Sequence, residues 1–160
     1  MTWEIRLAQR RDAREIMAIE KARFPEPWSL GMLLDEMGNV ATRRYTVAVE
    51  AGRVIGYAGV MYVIDELHVN TIGVREVDEG RGVATALLDE ALAEARARGI
   101  VRATLEVAVS NQRAQRLYYR HGFRPVGVRK NYYEKTREDA LVLWNDDLAG
   151  TGVGGPTLAE

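Results

Sequence analysis

Cysteine is missing from this 160-residue chain, which excludes disulfides, thiolate metal sites and a cysteine nucleophile. Histidine is nearly missing too. The two present, His68 and His121, are isolated and cannot supply the clustered ligands of the usual zinc site, so no metal is expected. No apolar run approaches the roughly 18 residues of a membrane span, and no signal peptide is visible. The expectation is a cytoplasmic protein with no membrane partner. Charge of one sign is lacking as well: 22 basic and 23 acidic side chains leave a net charge of −1. No global field therefore recruits nucleic acid or an anionic surface, and any partner must be recognised locally. Without repeats or an internal linker, the chain reads as one domain over residues 1–147. The glycine-rich stretch 148–160 reads as a flexible tail.

What is present centres on His68 to Gly99, which reads as strand, tight loop and helix. From Gly82 the apolar residues Val83, Ala84, Leu87, Leu88, Ala91, Leu92 and Ala95 form the stripe of a helix lying on a sheet, and Gly99 is placed to end it. Between strand and helix, Gly80-Arg81-Gly82-Val83-Ala84 sets two glycines where backbone N–H groups converge on a helix N-terminus. Such a loop suits a phosphate, although an ordinary strand-to-helix turn fits the same residues. It is neither a Walker A loop, since no Gly-Lys-Ser/Thr follows, nor a three-glycine dinucleotide fingerprint.

Trp3 to Leu7 alternates as a short strand. Asp12 is placed to cap a helix burying Ile16, Met17 and Ile19, and Ser29 to cap a second one with Leu30, Leu33, Leu34 and Met37 inward. Two prolines stiffen the loop between them, where Trp28 suits either a hydrophobic anchor or the wall of a substrate groove. Tyr45 to Glu50 and Val54 to Val63 are strands joined by a hairpin at Ala51-Gly52-Arg53. Val101 to Val109 alternates, with Val101, Ala103, Leu105, Val107 and Val109 on one face and Arg102, Thr104, Glu106 and Ala108 on the other. Ser110-Asn111 starts a helix that Gly122 ends. Phe123 to Val128 and Ala140 to Trp144 are strands around a loop holding Asn131-Tyr132-Tyr133. The pattern specifies an α/β (α+β) fold: a mixed central sheet of about seven strands with helices on both faces. From Val107 to Tyr133 no acidic residue occurs, while Arg113, Arg116, Arg120, Arg124, Arg129 and Lys130 accumulate. That run fits either a solvated basic face or a patch meeting phosphate or an acidic surface.

Residues 70–88 resemble the acetyl-coenzyme A signature of the GNAT acetyltransferases, a strand followed by Arg/Gln-x-x-Gly-x-Gly/Ala and a helix. Glu79 departs from it, bringing negative charge, with Asp78, near a pyrophosphate. Three further stretches resemble the RimI-type ribosomal-protein-alanine N-acetyltransferases: Phe24-Pro25…Pro27-Trp28-Ser29, Leu105-Glu106-Val107…Ser110-Asn111, and Arg129-Lys130-Asn131-Tyr132-Tyr133…Glu138-Asp139-Ala140. The resemblance covers roughly Trp3 to Asp146 in element order. It implies acetyl-coenzyme A as co-substrate, held along Ile72, Gly73 and Val74, with its pyrophosphate at Gly80, Arg81, Gly82, Val83, Ala84 and Thr85 and its pantetheine arm at Asn111. It further implies Glu106 as general base, Tyr118 as proton donor to the leaving thiolate, and Trp28, Tyr132 and Tyr133 as walls for an acceptor. The acceptor it implies is a protein N-terminus, the alanine of a small-subunit ribosomal protein.

By itself, Glu106 reads as a solvated strand residue, Tyr118 as a core tyrosine with its hydroxyl at the rim, and Asn111 as a helix cap. Two other functions compete with the implied one. A GNAT enzyme for a small amine or a lysine side chain would want an acidic pocket, whereas the Trp28 and Tyr132-Tyr133 stretches suit a peptide. A catalytically silent coenzyme-binding subunit would not need both Glu106 and Tyr118.

Overall fold

The computed structural model describes residues 2–150. Among them are seven strands, β1 (Glu4–Leu7), β2 (Arg43–Glu50), β3 (Arg53–Val63), β4 (Glu66–Val74), β5 (Arg102–Ala108), β6 (Arg124–Tyr133) and β7 (Glu138–Asn145). The four helices are α1 (Ala13–Arg23), α2 (Leu30–Gly38), α3 (Val83–Ala97) and α4 (Gln112–Arg120). The strands form one sheet in the order β1-β2-β3-β4-β5-β7-β6, mixed because β4 and β5 run parallel while β1-β2, β2-β3, β5-β7 and β7-β6 are antiparallel. The chain divides into two compact units. One runs to Tyr62 and takes up Val69–Ala91; the other holds Val63–His68 and resumes at Leu92.

In the first unit Ala51 and Gly52 both have positive φ, the tight two-residue turn whose twist matches the strands it joins. A register shift at Ala48/Val49 inserts Ile55 as an extra residue, so Val54 and Tyr57 face one side of the sheet while Ile55 and Ala58 face the other. Two cores result. Tyr45, Val47, Val54 and Tyr57 pack with Ile16, Met17 and Ile19 of α1 and Leu33 of α2. Ala48, Ile55 and Ala58 pack with Val83 and Leu87 of α3. Gly56 lets α3 come close, since a Cβ there would lie 2.9 Å from the Val83 side chain.

Two expectations for this unit need correction. Asp12 precedes α1, but its side chain makes no cap bond. It accepts two hydrogen bonds from Arg6, at 2.8 and 2.9 Å, and one from the Gln9 N–H at 2.7 Å, closing a short 3-10 turn at Arg10–Asp12. Burial alone would raise its carboxyl, but those bonds more than offset it and leave the group below its ordinary value. Ser29 does cap α2, accepting from Met32 N–H at 3.1 Å. Leu30, expected inward, is 42% exposed, because the buried stripe of α2 begins one turn later at Leu33. A second 3-10 turn at Glu76–Asp78, which no periodicity announces, separates β4 from the glycine loop.

In the second unit α3 ends as expected. Gly99 adopts φ +81, its N–H bonds to Arg96 O and that of Ile100 to Ala95 O. Ala103, Leu105 and Val107 are buried, whereas Val101 and Val109 at the ends of the expected face are 49% and 41% exposed. They lie beyond β5, where their backbone serves neighbours: Val101 O accepts from Leu148 N–H, and Val109 N–H donates to Asp139 O. Thr104, placed on the polar face by alternation, is buried and donates to Leu143 O at 2.8 Å. Tyr132 and Tyr133, expected in a loop, end β6 instead, with a register shift between Arg129 and Tyr133 and a left-handed Asn131 at φ +50. Of the expected tail, Leu148 is buried, and residues 151–160 lie outside the described residues. No helix among the described residues is long and apolar enough to cross a membrane.

Candidate active site

The residues expected to hold a phosphate lie in the first unit. Gly80 and Gly82 have φ of +79 and +87, a region that residues with a Cβ enter at a cost, so the loop requires glycine at both. A Cβ built on Gly82 meets nothing within 4 Å, so its backbone faces open space. The Ala86 N–H bonds to Gly82 O, and the N–H groups of Val83, Ala84 and Thr85 precede that first helical bond. Val83 points its side chain into the core, while Ala84 and Thr85 are half-buried.

Three acids near this loop, Asp78, Glu79 and Glu50, are matched by cations. Asp78, 5% exposed, lies between Arg75 and Arg81, each at 2.7 Å. Glu79 pairs with Arg23. Arg81 also reaches Glu50 at 2.6 Å and lies 5.1 Å over the Trp3 ring. Hydrogen bonds from Arg81 and Thr2 hold the Glu50 carboxyl down at about 2. The side chain of Arg81 is thus committed to acids, and what it can offer an anion is its backbone N–H.

Ile72 and Val74 pack against the core beneath α3. Gly73 between them makes room for Tyr57, whose ring would lie 2.6 Å from a Cβ. The Tyr57 hydroxyl bonds to the buried Glu20 and lies 3.2 Å from Thr71 Oγ1. Burial, reinforced by Glu20, pushes that phenol well above its ordinary value. The other oxygen of Glu20 accepts the Trp28 N–H at 3.1 Å. Trp28 stands edge-on to Tyr45 at 6.3 Å and packs on the α1–α2 core, so it anchors its loop. Sequence reasoning passed over Glu20; a glutamate on the buried stripe of α1, four residues after Ile16, was the available signal.

Glu106, Asn111, Tyr118, Tyr132 and Tyr133 lie in the second unit. Glu106 projects from β5 with its side chain one-third exposed, and its Oε1 accepts from Arg129 Nη1 at 3.1 Å. Arg129 lies 4.6 Å over the Tyr132 ring, which stands edge-on to Tyr133 at 5.0 Å. Burial, then the charge of Glu106, raises the Tyr132 phenol. Tyr118 is buried on α4, edge-on to Phe123 at 5.9 Å, and burial with a contribution from Tyr133 pushes its phenol well up. The phenol is therefore protonated at neutral pH. Asn111 caps α4, its Oδ1 accepting from Ala114 N–H at 3.1 Å.

The acids of the Glu138-Asp139-Ala140 stretch hold the β6–β7 hairpin in place. Asp139 accepts from Asn131 N–H at 2.9 Å and pairs with Lys130 at 3.2 Å, which fixes the left-handed residue ahead of Tyr132. Glu138 accepts from Ser110 N–H at 2.9 Å, tying the hairpin to the segment before α4. Of the expected basic run, Arg124 is turned to the carbonyls of Tyr119 and Phe123. Among the described residues no group of three His, Asp or Glu is placed to hold a metal ion.

Residues 13–123 match the Acetyltransferase (GNAT) family. The chain is 34% identical, over 82% of its length and 92% of the relative's, to the [Ribosomal protein bS18]-alanine N-acetyltransferase of Haemophilus ducreyi. It is 34% identical to the N-alpha-acetyltransferase RimI of Mycobacterium tuberculosis, over 86% of this chain and 88% of that one. The crystal structure of the ribosomal-protein-S18-alanine N-acetyltransferase from Escherichia coli superposes with a TM-score of 0.83 at 27% identity, covering 96% of this chain and 99% of that one. A seven-stranded mixed sheet, left-handed glycines opening α3, and this near full-length similarity together show that the chain belongs to the GNAT family of acetyltransferases.

Proposed function

We propose that this enzyme moves an acetyl group from acetyl-coenzyme A to the α-amine of a protein N-terminus, the N-terminal alanine of ribosomal protein bS18 being the first acceptor to try. The observation that carries the reading is the similarity, over four-fifths of the chain, to relatives named for that activity. Acetyl-coenzyme A supplies a thioester for the amine to attack, and the protein's part is binding and proton movement. The N–H groups from Gly80 to Thr85 would hold the pyrophosphate, Gly82 leaving the approach open. The backbone of Ile72, Gly73 and Val74 would pair with the pantetheine amides. Asn111, its oxygen used in capping, would offer its side-chain N–H to the same arm.

Glu106 takes a proton from the acceptor amine, whose ordinary pKa of about 8 leaves it mostly charged at neutrality. The freed amine nitrogen bonds to the carbonyl carbon, the carbon–sulfur bond breaks, and Tyr118 gives its phenolic proton to the sulfur; the second proton that the nitrogen sheds as the amide forms restores the phenol, and the proton on Glu106 leaves to solvent. No acyl-enzyme is needed, since direct attack asks only for positioning and electrostatics. Trp28, Tyr132 and Tyr133 would contact the first residues of the acceptor.

Mass spectrometry of acetyl incorporation into peptides differing in their first three residues tests the substrate. Incorporation into free lysine side chains with none at the α-amine would refute it. For the chemistry, Glu106→Gln should lower kcat/KM most near pH 7, and the loss should shrink as pH rises past the amine pKa of about 8 and free amine becomes abundant. Tyr118→Phe should lower kcat and spare coenzyme affinity, because a donor to the leaving group matters mainly in the transition state. Full activity in either variant removes that residue's role.

A further inference from the structure

The carboxylate that the reaction asks to meet an ammonium group already has a cation on it. Glu106 on β5 and Val142 on β7 are register partners, as are Val142 and Gly127 on β6. Arg129, two residues along from Gly127, therefore projects on the same face as Glu106. Two strand spacings, about 10 Å, separate β5 from β6, a span that an arginine side chain can bridge. It does so with one hydrogen bond, Nη1 to Oε1 at 3.1 Å, and with its guanidinium 4.6 Å over the Tyr132 ring. Lys130, its neighbour, is committed to Asp139.

We propose that Arg129 is a tethered competitor for the acceptor's ammonium group, occupying Glu106 in the free enzyme and giving it up when an acceptor arrives. This rests on the reading of Glu106 as the residue that meets the amine. Three features make the exchange feasible. The Arg129 side chain is 56% exposed and that of Glu106 33% exposed, so the pair is one of those whose net worth is small. The contact is a single bond rather than a two-pronged one, and so lacks the geometry that makes arginine–carboxylate pairs tight. Finally, the guanidinium already lies over the face of Tyr132, a contact it can keep when it gives up the carboxylate, so leaving Glu106 does not strand it.

The consequence is that acceptor affinity is a difference between two cations at one carboxylate. Weak or badly placed amines fail to displace Arg129, and Glu106 is never left without a counter-charge between turnovers. Arg129 is accordingly a positioning residue that acts through Glu106, and its effect is confined to ligands bearing a free amine.

The test is calorimetry of one alanine-initiated peptide, in its free-amine and its N-acetylated form, binding to the coenzyme A-loaded enzyme. In R129M, which keeps the unbranched stem and loses the charge, the free-amine peptide should bind about two- to fivefold more tightly, the range expected for an exposed pair. The acetylated peptide should bind as before, and R129K should restore the wild-type value. In steady state the peptide KM should fall in R129M with the acetyl-coenzyme A KM unchanged. The gain should vanish in an E106Q background. R129Q serves as a second uncharged variant should the methionine perturb folding. Equal gains for both peptides, no gain, or weaker binding of the free amine would each overturn the inference; weaker binding would make the guanidinium part of the acceptor site. A fully active E106Q enzyme would refute the base assignment, yet a gain in R129M restricted to the free amine would still support the exchange.

Discussion

Replacing Glu20 by glutamine and by leucine should have different consequences, and hydrogen-bond inventory says why. Glu20 is 5% exposed and serves two donors, the Tyr57 hydroxyl and the Trp28 N–H. Glutamine can serve both. Its oxygen accepts the Trp28 N–H, its amide donates to the Tyr57 oxygen, and the Tyr57 proton turns to Thr71 Oγ1, 3.2 Å away. Leucine can serve neither. Tyr57 still has Thr71, but the Trp28 N–H loses its acceptor, and a hydrogen bond to a charged group is worth about 1.5–3 kcal/mol. Relief of the buried carboxylate offsets part of that, leaving a net loss of about 2 kcal/mol for Glu20→Leu and under about 1 kcal/mol for Glu20→Gln. In a domain of this size the leucine variant should melt about 4–8 °C lower. Because the bond lost is the one that fixes the Trp28 backbone, Glu20→Leu should also raise the KM for acceptor peptide and spare that for acetyl-coenzyme A. Calorimetric melting and steady-state kinetics on both variants provide the check. Equal destabilisation would mean that the charge, not the count of acceptors, is what the site requires. A leucine variant as stable as wild type would mean that burying the carboxylate costs as much as its two bonds return.

Gly82→Val forces a β-branched residue to φ +87, and although no protein atom blocks the side chain, the strain and the lost approach should weaken acetyl-coenzyme A binding about tenfold or more; unchanged affinity by calorimetry would remove the phosphate assignment. Tyr132→Ala should raise the peptide KM and leave the coenzyme KM alone, and equal effects on both would discard its acceptor role. Asp12→Ala should destabilise the fold at neutral pH by about 2–3 kcal/mol, since it strips a buried carboxylate from Arg6 and the Gln9 N–H. The folded carboxyl lies below its ordinary value of about 4, so its stabilisation is present above that pH and is lost as pH falls through the lower, folded value. Urea midpoints of wild type and variant should therefore converge in strong acid, and a gap undiminished there would contradict the assignment.

Those elements that one period of the sequence specifies were legible. The stripe from Val83 to Ala95, the hairpin at Ala51-Gly52 and the glycine ends of α3 and α4 each follow from local rules that no distant contact overrides. Legibility failed where a side chain answers to a partner far along the chain. Asp12 looked like a cap and became the acceptor for Arg6; Thr104 looked solvated and bonds to Leu143 O on β7; Tyr132 and Tyr133 looked like loop residues because Asp139, which fixes the backbone ahead of them, comes after the turn. The site divides along the same line. The glycine loop shows its shape in residue types alone, while the partner of Glu106 sits 23 positions away and is set by register.

That division also bears on which acid in the second unit can serve as a base. A general base must be able to release whatever it holds when the substrate arrives. Asp139 cannot, because the Asn131 N–H is part of the backbone it fixes, and that bond, with Lys130, keeps its carboxyl below the ordinary range. Glu138 is likewise bound to a backbone N–H, that of Ser110, and freeing it would untie the hairpin. Glu106 is held by the tip of a largely exposed side chain that can move without disturbing any strand. A carboxylate paired with a movable cation can exchange partners, and one paired with the main chain cannot; by that criterion the structural acids of the hairpin are excluded, and Glu106 remains fit to take a proton from an amine.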